Sequence, residues 1–118
     1  MSGPRAGISV IIVSWNVKDL LRDALTSVFR ASTAESYWFE VIVVDNASVD
    51  GSTDMVRLEF PNVRLFASDE NLGFAQGCNL AFHESRGDYF FLLNPDARLL
   101  SDSLAFALAS MLDDPRLG

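Results

Sequence analysis

The order strand, helix, strand, helix, strand, helix, strand, helix predicts an α/β fold, a mainly parallel sheet with helices on both faces joined by right-handed crossovers. Three observations carry that expectation. Residues 8–14 (Ile-Ser-Val-Ile-Ile-Val-Ser) and 39–44 (Phe-Glu-Val-Ile-Val-Val) are short, nearly continuous apolar runs rich in β-branched side chains, the pattern of strands buried on both faces. Between them Val17, Leu20, Leu21, Ala24, Leu25, Val28 and Phe29 recur at helical spacing, as they must if one helix face packs on the sheet. A polar cluster then follows each apolar run, where a parallel sheet delivers its strand ends to a ligand crevice.

Taken in order, the first strand covers residues 8–14, and a helix over residues 17–31 follows with Asn16 as its N-cap. After a polar loop to Trp38 the second strand runs to Val44 and ends in Asp45-Asn46. Asp50-Gly51-Ser52 marks a turn, with Ser52 capping a short helix that Pro61 closes near Phe60. Residues 63–67 alternate enough to form a third strand toward an edge. A loop at residues 69–73 leads to a helix over residues 74–86, with Phe74, Cys78, Ala81 and Phe82 on one stripe and Gly87 as a left-handed terminator. The fourth strand, within residues 88–93, has Gly87 before it and Asn94-Pro95-Asp96 after it, and is expected to be buried on both faces. Ser103 then caps a last helix over residues 104–112.

At 118 residues the chain fits a single domain, and its 49% hydrophobic and 21% charged composition is that of a globular protein. The net charge of −7 argues against a nucleic-acid backbone as partner, because phosphate binding needs basic patches. An anionic ligand would need an accompanying cation. Cys78 is the only cysteine, which excludes an intrachain disulfide and favours a reducing, cytoplasmic setting. No apolar run approaches a membrane span. The chain stops just past its last expected helix, as a domain truncated at its C-terminus would, and exposed apolar surface there would favour self-association.

Trp15-Asn16, Asp45-Asn46, residues 69–73 and Asn94 to Asp96 all fall at C-terminal strand ends and so converge on one rim. A nucleotide diphosphate suits that rim: Trp15 can stack on a base, Asp45 can accept from a ring N–H, and Asp96 can hold Mg²⁺ or Mn²⁺ against the diphosphate. Neither a phosphate-binding G-x-x-x-x-G-K-[ST] loop nor a G-x-G-x-x-G after the first strand is present, so kinase and dinucleotide chemistry are unsupported. Each residue also has a structural reading. Trp15 could be a core aromatic, Asp45 and Asp50 turn residues, Asn94-Pro95-Asp96 a loop opener, and Gly73 and Gly77 positions of close packing. His83 falls on a solvated helix face and Cys78 on the apolar stripe.

Four blocks, Val10-Ile-Ile-Val-Ser-Trp-Asn16, Val43-Val-Asp-Asn-Ala-Ser-Val-Asp-Gly-Ser52, Asn71-Leu-Gly-Phe-Ala-Gln-Gly-Cys-Asn79 and Leu92-Leu-Asn-Pro-Asp96, together resemble the N-terminal half of family 2 glycosyltransferases, inverting enzymes with a Rossmann-like GT-A fold. The resemblance implies that Trp15 stacks near the nucleotide base, that Asp45 binds it, and that Asn94-Pro-Asp96 replaces the family's Asp-x-Asp motif with Asp96 at the metal position. It also places Asn16, Asn71, Gly73, Asn79 and Asn94 among the nucleotide-binding positions. The Asn-Pro-Asp variant is similar to that of rhamnosyltransferase-like members, which points to a dTDP-sugar, with a UDP-sugar as the other donor. The family's catalytic base and acceptor site would follow Gly118, so no catalytic residue is assigned here. A saccharide or lipid-linked acceptor, polysaccharide or cell-wall synthesis, and action in the cytoplasm at the inner membrane face complete the expectation. The competing reading is a non-catalytic α/β module whose rim carboxylates bind a metal or a protein partner.

Overall fold

A computed structural model describes residues 7–31 and 38–95. Strand β1 (Gly7–Ser14) is followed by helix α1 (Lys18–Ala31), β2 (Trp38–Asn46), α2 (Ser52–Glu59), β3 (Arg64–Ser68), α3 (Gly73–Glu84) and β4 (Tyr89–Leu92). The four strands form one sheet in the order β3-β2-β1-β4, and every pair is parallel. From β1 the chain moves outward to β2 and β3, then returns through α3 to the opposite edge. With right-handed crossovers, that reversal places α3 on the other face from α1 and α2.

Strand alternation divides the core accordingly. Ile8, Val10 and Ile12 of β1, with Val41 and Val43 of β2, pack against Leu21, Ala24, Leu25 and Val28 of α1 and Met55 and Val56 of α2. Ile11, Ile42 and Val44 face the other way, onto Ala81 of α3. Helix α3 approaches the sheet closely because Gly77 has no side chain: a Cβ there would sit 2.9 Å from Val13 Cγ1 and 3.2 Å from Cγ2. Val13 is β-branched and has little rotamer freedom to yield. Gly77→Ala is therefore expected to destabilise the fold by about 1–3 kcal/mol in urea unfolding. An unchanged midpoint would show that α3 can lift off the sheet without cost.

Several sequence expectations change here. Among the described strands β4 lies at an edge, and Phe90 and Leu92 are each 46% exposed rather than buried on both faces. Phe90 packs edge-on against Phe82 of α3, with ring centroids 5.1 Å apart. On α3 the buried stripe is Gly77, Cys78 and Ala81, while Phe74 and Phe82 face solvent. Gly87 is not a left-handed terminator, since positive φ among the glycines occurs at Gly51 and Gly73. Its small size serves another purpose: a Cβ at Gly87 would lie 2.6 Å from Ser9 Oγ and 2.7 Å from Ser9 N. The Ser103-capped helix lies outside the described residues. No helix among those described is long and apolar enough to cross a membrane.

Candidate functional site

All strands run the same way, so Ser14, Asn46, Ser68 and Leu92 end on one rim and the connecting loops gather there. Trp15 leaves β1 at this rim and is 55% exposed, about half buried. Asn16 follows with φ 51° and Ala47 sits at φ 63°, a left-handed conformation at which each chain turns away from its strand.

These two turns are laced together. The Asn16 N–H donates to Ser48 Oγ at 2.8 Å, and Asn16 Oδ1 accepts from the Val49 N–H at 2.8 Å. Asn16 is thus not the N-cap of α1. Asp50 takes that role from the neighbouring loop, its Oδ2 accepting from the Lys18 N–H at 2.9 Å. The other oxygen of Asp50 accepts from the N–H and hydroxyl of Ser52, so one carboxylate satisfies the starts of both α1 and α2. Ser52 accordingly opens α2 rather than capping it, and Gly51, at φ 90°, holds the cap position. Burial opposes the charged form of Asp50, but the Ser52 hydroxyl and the N–H groups of Lys18 and Ser52 outweigh it and hold the carboxyl below its ordinary range. An open cleft of about 420 Å³ lies here, lined by residues 16–20 and Asp50.

Asp45 and Asn46 leave β2 on opposite faces. Continuing the alternation of Val41 and Val43, Asp45 lies on the α1 and α2 side, 1% exposed, with Oδ2 accepting from the Ser48 N–H at 2.9 Å and Oδ1 from the Ser48 hydroxyl at 2.7 Å. Its register partner Ser14 is also 1% exposed, and its hydroxyl is the one buried side-chain polar atom without a partner among the described residues. Asn46 lies on the α3 side, 3% exposed. Its Oδ1 accepts from the Leu72 N–H and its Nδ2 donates to the Gly73 carbonyl, both at 3.2 Å. That latch holds the entry to α3 against the sheet.

Asn71 Oδ1 accepts from the Gly73 N–H at 2.8 Å, and Gly73, at φ 80°, makes the turn into the helix. The structure thus brings Trp15, Asn16, Asn71 and Gly73 to the rim with Asp45 beneath it. Asn94 is exposed just past β4, and Asn79 is exposed on the second turn of α3. The sequence places Asn46 at the rim but does not reveal its bonds to Leu72 and Gly73, the bridging role of Ser48 or the double cap made by Asp50, because those partners lie in other loops. Asp96, the expected metal ligand, lies outside the described residues. Among those described, no group of three or more His, Cys, Asp or Glu side chains could hold a metal.

Comparison with known proteins bears on what this rim binds. The chain is 36% identical over 100 residues to the uncharacterized glycosyltransferase YfnE of Bacillus subtilis, covering 82% of this chain and 25% of YfnE. It is 30% identical over 109 residues to the same organism's putative teichuronic acid biosynthesis glycosyltransferase TuaG, covering 90% of this chain and 42% of TuaG. The chain thus spans less than half the length of these curated relatives. Among solved structures, the mannosyltransferase PcManGT from Pyrobaculum calidifontis, in complex with GDP-Man and Mn²⁺, aligns with a TM-score of 0.78 at 29% identity over 95% of this chain and 33% of its own. TarS of S. aureus, residues 1–349, shares the fold, with a TM-score of 0.79 at 23% identity over 91% of this chain and 32% of that one. The family model for glycosyl transferase family 2 matches residues 9–117, and on that match, together with the parallel GT-A-type sheet and its loop-built rim, this chain belongs to the family 2 glycosyltransferases.

Proposed function

We propose that this chain is the donor-binding part of a metal-dependent, inverting glycosyltransferase. It holds a nucleotide-diphosphate sugar on the rim, and the longer protein transfers the sugar to a hydroxyl of a saccharide or lipid-linked acceptor in polysaccharide synthesis. The observation that carries this reading is Trp15, a large aromatic left 55% exposed beside two clasped loops at the C-terminal end of the central strand. An indole half exposed there offers a face on which a base can stack. Support for the donor class comes from relatives. TuaG is named for teichuronic acid biosynthesis, and PcManGT was captured with a nucleotide sugar and manganese.

Within that class, a dTDP- or UDP-sugar is the donor we assign, from the Asn94-Pro95-Asp96 variant that follows β4 in sequence and is similar to that of rhamnosyltransferase-like members. Asp96 would supply the carboxylate for Mg²⁺ or Mn²⁺, and the cation would screen a diphosphate from a chain of net charge −7. Asn71, Gly73, Asn79 and Asn94 would border the ligand from the α3 and β4 sides of the rim.

Thermal unfolding with UDP, dTDP, GDP and ADP, each with and without Mn²⁺, tests the proposal, since a ligand that binds only the native state raises its stability by mass action. Stabilisation that requires manganese and is largest for UDP or dTDP is expected. In Asp96→Ala the same nucleotides should bind no better with Mn²⁺ than without it. If no nucleotide shifts the transition of the unmodified chain, the donor-binding reading is wrong.

A further inference from the structure

We propose that Asp45 does not touch the base but is a positioning residue, acting through Ser48 and the Asn16 backbone to hold Trp15 at the rim. The proposal rests on the donor-nucleotide reading and assigns Asp45 a different place within it. Three observations carry it. Asp45 is 1% exposed and lies on the α1 and α2 side of the sheet, so the carboxylate presents almost no surface to a ligand. Both its oxygens already accept from Ser48, at 2.9 Å from the N–H and 2.7 Å from the hydroxyl. The same Ser48 Oγ accepts from the Asn16 N–H at 2.8 Å, so Ser48 is spent in both directions.

The chain of bonds is therefore directional: the Asn16 N–H donates to Ser48, and the Ser48 hydroxyl donates to Asp45. A base N–H could reach Asp45 only by displacing that hydroxyl, which would release the residue that follows Trp15. Asn16 is in the left-handed region at φ 51°, a conformation that costs a non-glycine residue free energy and persists only where surrounding bonds enforce it. Its side chain accepts from the Val49 N–H and its main chain donates to Ser48, so the turn that aims Trp15 is held from the β2–α2 loop on both counts.

A base-reading carboxylate and a positioning carboxylate fail differently. Loss of a base contact selectively weakens the base that made it, whereas loss of a stacking platform weakens all bases, because every base has a π face. The test uses the chain with Trp38→Phe, which leaves Trp15 as the sole tryptophan, and adds Ser48→Ala or Ser48→Thr. Dissociation constants for UDP, GDP and ADP with Mn²⁺ are measured by calorimetry. Emission maximum and acrylamide quenching of Trp15 are recorded without nucleotide, and circular dichroism confirms the fold.

In Ser48→Ala all three constants should rise together by about three- to tenfold, the equivalent of one lost hydrogen bond, with the UDP-to-ADP ratio unchanged within about twofold. Trp15 emission and quenching should change in the same variant, and Ser48→Thr, which keeps the hydroxyl, should restore both. A change confined to UDP, in particular a gain as the freed Asp45 carboxylate accepts from the base, would show that Asp45 reads the base and would overturn the positioning role. Unaltered Trp15 fluorescence in Ser48→Ala would overturn the relay. If the parent binds no nucleotide, the donor reading falls, and the fluorescence comparison alone still decides whether Ser48 holds Trp15.

Discussion

Replacing Glu40 by alanine is expected to lower the unfolding free energy by about 3–5 kcal/mol, the usual consequence of removing one member of a buried, hydrogen-bonded ion pair. Glu40 lies on β2, near the end of the sheet opposite the rim, and is 8% exposed. Its carboxylate accepts from the Ser9 hydroxyl at 2.7 Å, the Arg86 N–H at 2.6 Å and Arg64 Nη1 at 2.9 Å. The one side chain thus joins β1, β3 and the segment that leads from α3 into β4. Alanine would leave the Arg86 N–H and the Ser9 hydroxyl without this acceptor. Arg64 would keep the Glu84 carbonyl at 2.7 Å and the Glu84 carboxylate at 3.8 Å, which places the expected loss toward the lower end of the range.

The same site makes stability depend on pH. Burial alone would raise the Glu40 pKa, but the Ser9 hydroxyl, the Arg86 N–H and the Arg64 guanidinium outweigh it and set the folded value below the ordinary 4.5. A carboxylate depressed in the folded state stabilises it fully above the unfolded value, and that contribution is lost as pH falls through the folded value. Urea unfolding of the unmodified chain and of Glu40→Gln should therefore differ by a constant amount above about pH 5 and converge in more acidic solution. A gap that ignores pH would mean the carboxylate is not charged in the native state.

Glu40 also marks where sequence reading stops. The fold class was legible because β-branched runs at residues 8–14 and 39–44 leave no solvent face, and helical stripes separate them. What such a run cannot say is whether it lies in the middle of a sheet or at its edge. Tyr89-Phe-Phe-Leu92 reads as buried, yet the return crossover through α3 leaves it at an edge of the described sheet with Phe90 and Leu92 half exposed. A lone glutamate in the Phe39-Glu-Val-Ile run gives no hint that its partners are Ser9, Arg64 and the Arg86 N–H, 24 to 46 positions away.

At the rim the same limit applies. Trp15 and the polar strand ends were legible, since a parallel sheet delivers its C-terminal residues to one side. One usable signal lay in the strand itself: period-2 alternation from Val41 and Val43 already puts Asp45 with α1 and separates it from Asn46. The latch from Asn46 to Leu72 and Gly73, and the double cap made by Asp50, depend on loops meeting in space and have no local pattern.

Trp15→Ala is expected to weaken binding of nucleoside diphosphates by roughly five- to 150-fold, the range for losing one base–aromatic stack worth about 1–3 kcal/mol. The indole is 55% exposed, so its removal opens no core cavity, and unfolding free energy should stay within about 0.5 kcal/mol of the unmodified chain. That separation matters, because weaker binding with an intact melting transition locates the effect in the ligand contact rather than in the fold. Trp15→Phe keeps a smaller π face on the same clasped turn and should recover part of the affinity, while Trp15→Leu keeps apolar area without a ring and should not. The loss should be shared by UDP and ADP, since stacking is tolerant of base identity. Calorimetric titration of the four proteins with each nucleotide and Mn²⁺ gives the answer, and equal affinities for the unmodified chain and Trp15→Ala would remove the tryptophan, and with it the rim around β1, from the donor site.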